Sequence, residues 1–314
     1  MSKPGDVKII YKLHEKNYVS AANNPGKQKL LDRFRESLRS RHYSRRTEQT
    51  YCQWVKRFIY FHKMRHPAEM GESEINAFLT HLAVKEKISS STQTQALGAL
   101  LFLYRNVLDR EIGDLGAVIR ARKPRGLPVV MTKAEVKSVL SNLKEDKWII
   151  ANLLYGSGLR LMECLRLRVH DIDFGSNQIT VRDGKGNQDR IAILPVAVKE
   201  PLSAHLNKVK KIHNEDVKRG YGKVFMPYAL ERKYPNVSVE WRWQWVFPQA
   251  ELWRNKETGA RGRHHLHESI VQKSVKDAVT KAGLIKRPTC HTFRYSFATH
   301  LLEDGYDIRT VQEL

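Results

Sequence analysis

The chain has 314 residues, with 55 Lys plus Arg against 33 Asp plus Glu, a formal charge of +22 and 41% hydrophobic side chains. That length suits about two domains, and the apolar content is enough for packed cores, which sets aside disorder and fibrous repeats. The longest apolar run, Ala96–Tyr104, has nine residues against the roughly 20 that a membrane-spanning helix needs. No signal-like leader opens the chain, so a soluble protein of the cell interior, with no membrane partner, is expected. Cys52, Cys164 and Cys290 are odd in number and far apart, which supports neither a disulfide framework nor a zinc pattern; they read as small core residues. The charge points to a polyanion, because each Lys or Arg set on a phosphate releases counterions and adds sequence-independent affinity. Residues 1–130 carry 24 basic and 12 acidic side chains, and residues 131–314 carry 31 and 21. Both halves are basic, which suits a clamp on nucleic acid; the plainer alternative is charge that only maintains solubility.

In chain order, residues 1–25 read as a weakly structured leader. Four amphipathic patterns follow: Leu30/Leu31/Phe34/Leu38, Tyr51/Trp54/Val55/Phe58/Ile59, Ile75/Phe78/Leu79/Leu82 and Ala96/Leu97/Leu100/Leu101/Tyr104/Val107/Leu108. Each repeats at helical spacing, so the four stripes share one core, and a helical domain is expected over 26–119. Ser44 is placed to cap its second helix. The outer face and its approach carry Arg39, Arg41, Arg45, Arg46, Lys56 and Arg57, either a DNA-backbone contact or a solvated charged face; Arg45 and Arg46 are the candidates. Residues 120–130 hold Pro124, Gly126 and Pro128 among Arg120, Arg122, Lys123 and Arg125, which keeps the chain extended and positive. This stretch reads as a linker crossing DNA, with Lys123 and Arg125 as contacts.

Thr132 and Glu135 have capping-box spacing, so a second domain opens there and runs over 131–314. A helix buries Trp148, Ile149, Ile150, Leu153 and Leu154 and stops at Gly156-Ser-Gly158, and another begins near Arg160 and runs to about Val169. Gln178–Val181 and Arg190–Leu194 read as two strands joined through Asp183-Gly-Lys-Gly-Asn187, whose residue types permit a tight hairpin. Helices return after Pro195, around 268–283 and over 291–302. Trp241, Trp243, Trp245 and Phe247 alternate strictly, so a strand would put four rings on one face. The fold class expected is mainly α with a small antiparallel β-hairpin sheet.

Three local geometries expose groups that could do chemistry: Arg160 at a helix start after a glycine turn, Lys185 at a hairpin tip, and His291 with Arg294 at i, i+3 on one helical face. Singly, each is equally well a surface or structural residue. In this order, the phrases LLYGSGLRLMECLRLRVHDIDF, RDGKGNQDR and HTFRYSFATHLLEDGYDIRTVQEL resemble the first arginine box, the β-hairpin lysine and the His-x-x-Arg box of the tyrosine recombinase (phage integrase) family. The stretch ALERKYPNVSVEWRWQWVFPQ followed by RGRHH resembles the segment, here about 215–265, that sets integron integrases apart.

The resemblance implies a helical SAM-like core-binding domain over 26–119 and an α+β catalytic domain over 131–314. It implies site-specific recombination of gene cassettes through a 3′-phosphotyrosine intermediate, in a bacterial, nucleoid-associated, cytoplasmic protein. Arg160 and Arg294 would hold the non-bridging oxygens of the scissile phosphate in bidentate forks, Lys185 would protonate the leaving 5′-oxygen, and His291 would orient the phosphate. No cofactor and no divalent metal would be required. The partners implied are duplex integration sites, folded single-strand hairpin cassette sites and three further copies in a homo-tetramer on synapsed DNA. Trp243, His264 and His265 are candidates for contacts to unpaired bases, with a buried aromatic face or a metal cluster including His267 as alternatives. In the family a Leu-Gly-His box and the tyrosine nucleophile follow the phrase RTVQEL, where this chain reaches Leu314. The expectation is therefore a chain truncated before its nucleophile, with Tyr295 and Tyr306 as ordinary tyrosines. The rival readings are a catalytically dead remnant that occupies recombination sites and a metal-dependent nuclease or transposase.

Overall fold

The computed structural model describes residues 29–113, 115, 127–182, 188–226, 230–234, 236–254, 259 and 261–308. The chain divides into two units, 1–125 and 126–314. The leader 1–25 lies outside the described residues, as does most of the basic stretch 120–130. Among the described residues no helix is long and apolar enough to cross a membrane.

Four helices build the first unit: α1 (Leu30–Ser40), α2 (Arg45–Phe61), α3 (Glu72–Val84) and α4 (Ser90–Asn106). The hydroxyls of Ser44 and Ser89 accept from the backbone N–H of Thr47 and Thr92, which satisfies otherwise unpaired donors at the starts of α2 and α4. The expected stripes face inward. Trp54, Phe58, Ile75, Phe78, Leu79, Leu82, Leu100 and Tyr104 form one buried cluster, and Phe34, Leu38, Val55 and Leu103 belong to a second. Tyr104 is satisfied by donating its hydroxyl to the carbonyl of Pro67 at 3.0 Å.

The second unit is organised around α6 (Glu145–Gly156), which packs against α5 (Lys133–Ser141), α8 (Val196–Lys218), α10 (Glu268–Lys281) and α11 (Cys290–Glu303). The capping box forms as expected: Thr132 N–H donates to Glu135 Oε2 at 2.8 Å, and Glu135 N–H to Thr132 Oγ1 at 3.2 Å. The helix expected from Arg160 to Val169 is shorter, a five-residue α7 (Leu161–Leu165). Its continuation is consumed by pairing with a distant segment: Val246 N–H donates to Leu167 O, and Val169 N–H to Gln244 O. A backbone committed to those partners cannot also supply the helical i to i−4 bonds.

Strands β1 (Ile172–Asp173), β2 (Gln178–Val181) and β3 (Arg190–Ile193) form an antiparallel sheet in that order, with Ile179 opposite Ala192 and Val181 opposite Arg190. Ile179, Val181 and Ala192 enter the core, while Ile191 and Ile193 face outward. The hairpin tip, 183–187, lies outside the described residues. All three cysteines are buried.

The stretch 241–247 is not a strand. Trp241–Trp243 is a single 3-10 turn, preceded by α9 (Leu230–Lys233) and another 3-10 turn at Val237–Val239. The rings therefore go to different places: Trp241 packs on His213, Trp243 on His170, and Trp245 and Phe247 are buried. The buried Gln244 carboxamide explains the turn, because its nitrogen donates to the carbonyls of Gly222, Ser238 and Glu240. The strands of this region are instead β4 (Pro248–Arg254) and β5 (Arg261–His265), an antiparallel pair. Arg263 fixes β5 to the end of α8 through Asp216, at 2.6 and 3.1 Å.

Candidate phosphate-binding site

The site begins at the turn between α6 and α7. Gly158 takes φ +62, a left-handed conformation that costs a side-chain-bearing residue strain, and its carbonyl accepts from Nη1 of Arg294 on α11. Two residues on, Arg160 is extended and caps α7. A glycine turn thus sets one arginine beside its start and holds the other by its carbonyl.

Glu163, one turn into α7, ties the cluster together. Its Oε2 accepts from Arg160 N–H at 2.8 Å and its Oε1 from Arg160 Nη1 at 2.5 Å. The same Oε2 accepts from Nη2 of Arg190 on β3 at 2.9 Å. Burial pushes the Glu163 carboxyl up, but the Arg160 N–H and guanidinium, together with Arg190, outweigh it and hold the group below the usual carboxylate range. Two guanidiniums are thereby served by one carboxylate, while the third, that of Arg294, is held by the Gly158 carbonyl. Burial, followed by the charges of Arg160 and Arg190, lowers the proton affinity of Arg294; a guanidinium nevertheless stays charged. The cluster is an electropositive, partly desolvated site with donor N–H groups to spare, suited to a phosphate oxyanion.

His291 lies in the first turn of α11, exposed, three residues before Arg294. The structure therefore brings Arg160 and Arg294 to one turn and sets His291 on the helix that carries Arg294. Lys185, Lys123 and Arg125 lie outside the described residues. Arg45 and Arg46 are exposed at the start of α2. On the same unit Arg39 is forked onto Glu48, and Arg57 pairs with Glu86 at 2.5 Å while lying over the Trp54 ring.

The three base-contact candidates sit in packed surroundings. Trp243 is half-buried, edge-on to His170 at 4.5 Å, with its indole N–H buried and unpartnered. His264 is half-buried against His265, ring centroids 4.1 Å apart. His265 is 8% exposed and its Nδ1 pairs with the Leu266 carbonyl at 2.8 Å, so the structure turns its ring into the interior. His267 caps α10, its Nδ1 accepting from Ser269 N–H.

Burial pushes His265 down to about 4 from an ordinary value near 6.5. A histidine held neutral in the fold contributes stability that is intact above about pH 6.5 and is lost as pH falls toward 4, because the unfolded chain takes up the proton first. By pH 5 this amounts to on the order of 2 kcal/mol. Urea unfolding at pH 7.5 and 5.0 should show His265→Gln losing about that much less stability between the two pH values than the parent chain. An equal loss in both would show that His265 titrates normally in the fold.

Sequence reading singled out neither Glu163, nor Arg190, nor Arg168, the residue that holds the 241–247 segment. Glu163 had a visible signal, an acidic residue three positions after an N-terminal arginine, which is capping-box spacing. Arg190 and Arg168 had none, since their partners are 27 and 57 to 75 residues away.

Known proteins resemble this chain in sequence and in fold. Residues 30–114 match the phage integrase N-terminal SAM-like domain, and residues 129–314 match the phage integrase family. An integrase/recombinase of Escherichia coli is 46% identical over 286 residues, covering 91% of this chain and 85% of its own length. The tyrosine recombinase XerA of Thermococcus kodakarensis is 29% identical over 290 residues, covering 91% and 85%. In fold, the chain is similar to the Tn1549 transposon integrase in complex with circular intermediate DNA, at TM-score 0.57 and 16% identity, covering 91% of this chain and 90% of that one. The XerH site-specific recombinase bound to difH substrate follows at TM-score 0.56 and 18% identity, covering 91% and 78%. With a helical domain, a catalytic-type α+β domain and these matches across both, the chain belongs to the phage integrase family of tyrosine recombinases, whose work is site-specific recombination.

Proposed function

We propose that this protein binds duplex recombination sites and grips the scissile phosphate between Arg160 and Arg294, with His291 orienting the phosphate; in strand cleavage, where a tyrosine bonds to phosphorus as the 3′-phosphotyrosine forms and the 5′-oxygen leaves, Lys185 would protonate that oxygen. The observation that carries the reading is the meeting of Arg294 with the Gly158–Arg160 turn: the Gly158 carbonyl holds Arg294, and Arg160 and Arg190 share the Glu163 carboxylate beside it. Breaking a phosphodiester builds charge on the non-bridging oxygens, and fixed guanidinium forks stabilise it without proton transfer. Assembly as a tetramer on paired sites belongs to the same proposal. Its narrower form, an integron-type enzyme that also accepts folded single-strand hairpins, rests on the aromatic segment 215–265, where Phe225 is half exposed and stacks on Trp253 at 4.4 Å. A ring pair of that kind offers an open face to an unpaired base, with His264 6.2 Å from Phe225.

The test uses a duplex isolated from a random-sequence library by repeated binding selection, with single phosphates replaced in turn by neutral methylphosphonate. One replacement should weaken binding by about 10- to 100-fold, the scale of one or two charge-assisted hydrogen bonds. Arg160→Ala and Arg294→Ala should each abolish most of that sensitivity while keeping most of the affinity, which comes from many other phosphates. If both variants remain as sensitive as the parent, the two arginines do not hold a phosphate. A nicked version of the same duplex separates cleavage from mere site occupancy, a covalent adduct on a denaturing gel marking cleavage. A folded hairpin of the selected sequence with extrahelical bases should compete with the duplex, and failure to compete removes the narrower form.

A further inference from the structure

Glu163 is the pivot of the site, and its bonds are unevenly shared. Among the described residues Oε1 meets only Nη1 of Arg160, whereas Oε2 receives two donors, Arg160 N–H and Arg190 Nη2. A carboxylate beside a lone arginine settles into a two-pronged fork. Here the second prong is already taken up by the Arg160 backbone N–H and by Arg190, so Glu163 holds the Arg160 guanidinium by one nitrogen and leaves the rest of its fork unclaimed by the carboxylate. Arg160 is accordingly the open member of the network, with 36% of its side chain exposed against 18% for Arg190 and 9% for Glu163.

Two further observations set Arg190 apart from an ordinary packing residue. Its Nη1 is buried with no hydrogen-bond partner among the described residues, a cost to stability that a well-packed protein seldom retains without use. Its Cα pairs with Val181 across the β2–β3 strand pair, the two strands between which Lys185 falls in the sequence. A single side chain therefore joins the hairpin stem to the turn that presents Arg160.

We infer that Arg190 is a positioning residue for the phosphate site: by occupying Oε2 of Glu163 it restrains the carboxylate to a single hold on Arg160 and keeps the Arg160 fork open to phosphate. This rests on the reading of Arg160 and Arg294 as phosphate ligands. Without Arg190 the carboxylate turns to fork Arg160 and competes with the phosphate. Removing the negative charge of Glu163 then releases Arg160 again, so the two substitutions correct one another, which a purely structural loss does not do.

The experiment measures, for the selected duplex, the ratio of affinities with the native phosphate and with methylphosphonate at the sensitive position, alongside the thermal midpoint of each variant. Arg190→Ala should lower the ratio at least fivefold, Arg190→Lys should stay within about twofold of the parent, and adding Glu163→Gln to Arg190→Ala should bring the ratio back to within about twofold. Should Arg190→Ala fail to fold, Arg190→Gln takes its place. An unchanged ratio in Arg190→Ala overturns the assignment, as does a loss that Glu163→Gln does not correct. Arg294→Ala separates the two levels. If it too leaves the ratio intact, the phosphate-site reading itself has failed; if it collapses the ratio while Arg190→Ala does not, only the role of Arg190 has.

Discussion

Arg168→Ala should lower the unfolding free energy by about 3–5 kcal/mol, the scale for removing one side of a buried, hydrogen-bonded charge network. Arg168 is 8% exposed, and its guanidinium donates to the carbonyls of Trp243 at 2.6 Å and Phe225 at 2.7 Å. It lies 4.0 Å from the centroid of the Trp245 ring and 5.7 Å from that of Trp243. Burial pushes its proton affinity down to about 10, so it is charged at neutral pH and depends on those carbonyls and rings to replace water. Truncation leaves two carbonyls without donors and a void between two indoles, each a separate cost. Arg168→Met fills the void without supplying donors and should recover about 1–2 kcal/mol of the loss. Denaturant unfolding followed by tryptophan fluorescence reads this directly, since Trp243 and Trp245 flank the lost group. A change below about 1 kcal/mol would mean that the segment holds its shape without Arg168.

That network also shows where sequence reading reaches its end. The helical parts were legible because both signals they need are local: an apolar stripe at helical spacing and a side chain at the first turn, as in Ser44 with Thr47 or Thr132 with Glu135. The first β-hairpin was legible for the same reason, with alternating residues on either side of a glycine-rich turn. The alternation at 241–247 looked equally good, yet alternation becomes a strand only where a partner strand accepts the backbone. Here Arg168 and Gln244 bind the carbonyls of this and neighbouring turns, and the chain coils. Pairing of Pro248–Arg254 with Arg261–His265 went unread because Pro248 and the charged residues blur the period of two. At the site, Arg160, His291 and Arg294 were visible through their motif phrases. Glu163 and Arg190 decide how Arg160 is presented, and only the fold brings Arg190 to Glu163 from 27 positions away.

Gly158→Ala should damage fold and site together. At φ +62 an alanine carries left-handed strain of roughly 1–2 kcal/mol, and its Cβ would come to 2.8 Å from Cδ1 of Phe297, an overpacking contact worth about 1–3 kcal/mol. The unfolding free energy should therefore fall by about 2–5 kcal/mol. The consequence for binding follows from the carbonyl. Gly158 O is the acceptor that holds Arg294 Nη1, and relaxing either the φ strain or the contact with Phe297 moves that oxygen. Arg294 then loses its anchor while Arg160, two residues on, loses its approach. Sensitivity to methylphosphonate at the gripped phosphate should drop about tenfold, near 1.4 kcal/mol, even where the variant is fully folded at the assay temperature. Adding Phe297→Ala should return part of the stability by removing the contact, but not the part due to φ, and the coupling between the two substitutions measures the contact alone. A variant that loses stability yet keeps the full phosphate sensitivity would show that Arg294 finds its position without the Gly158 carbonyl, and that the turn serves the fold only.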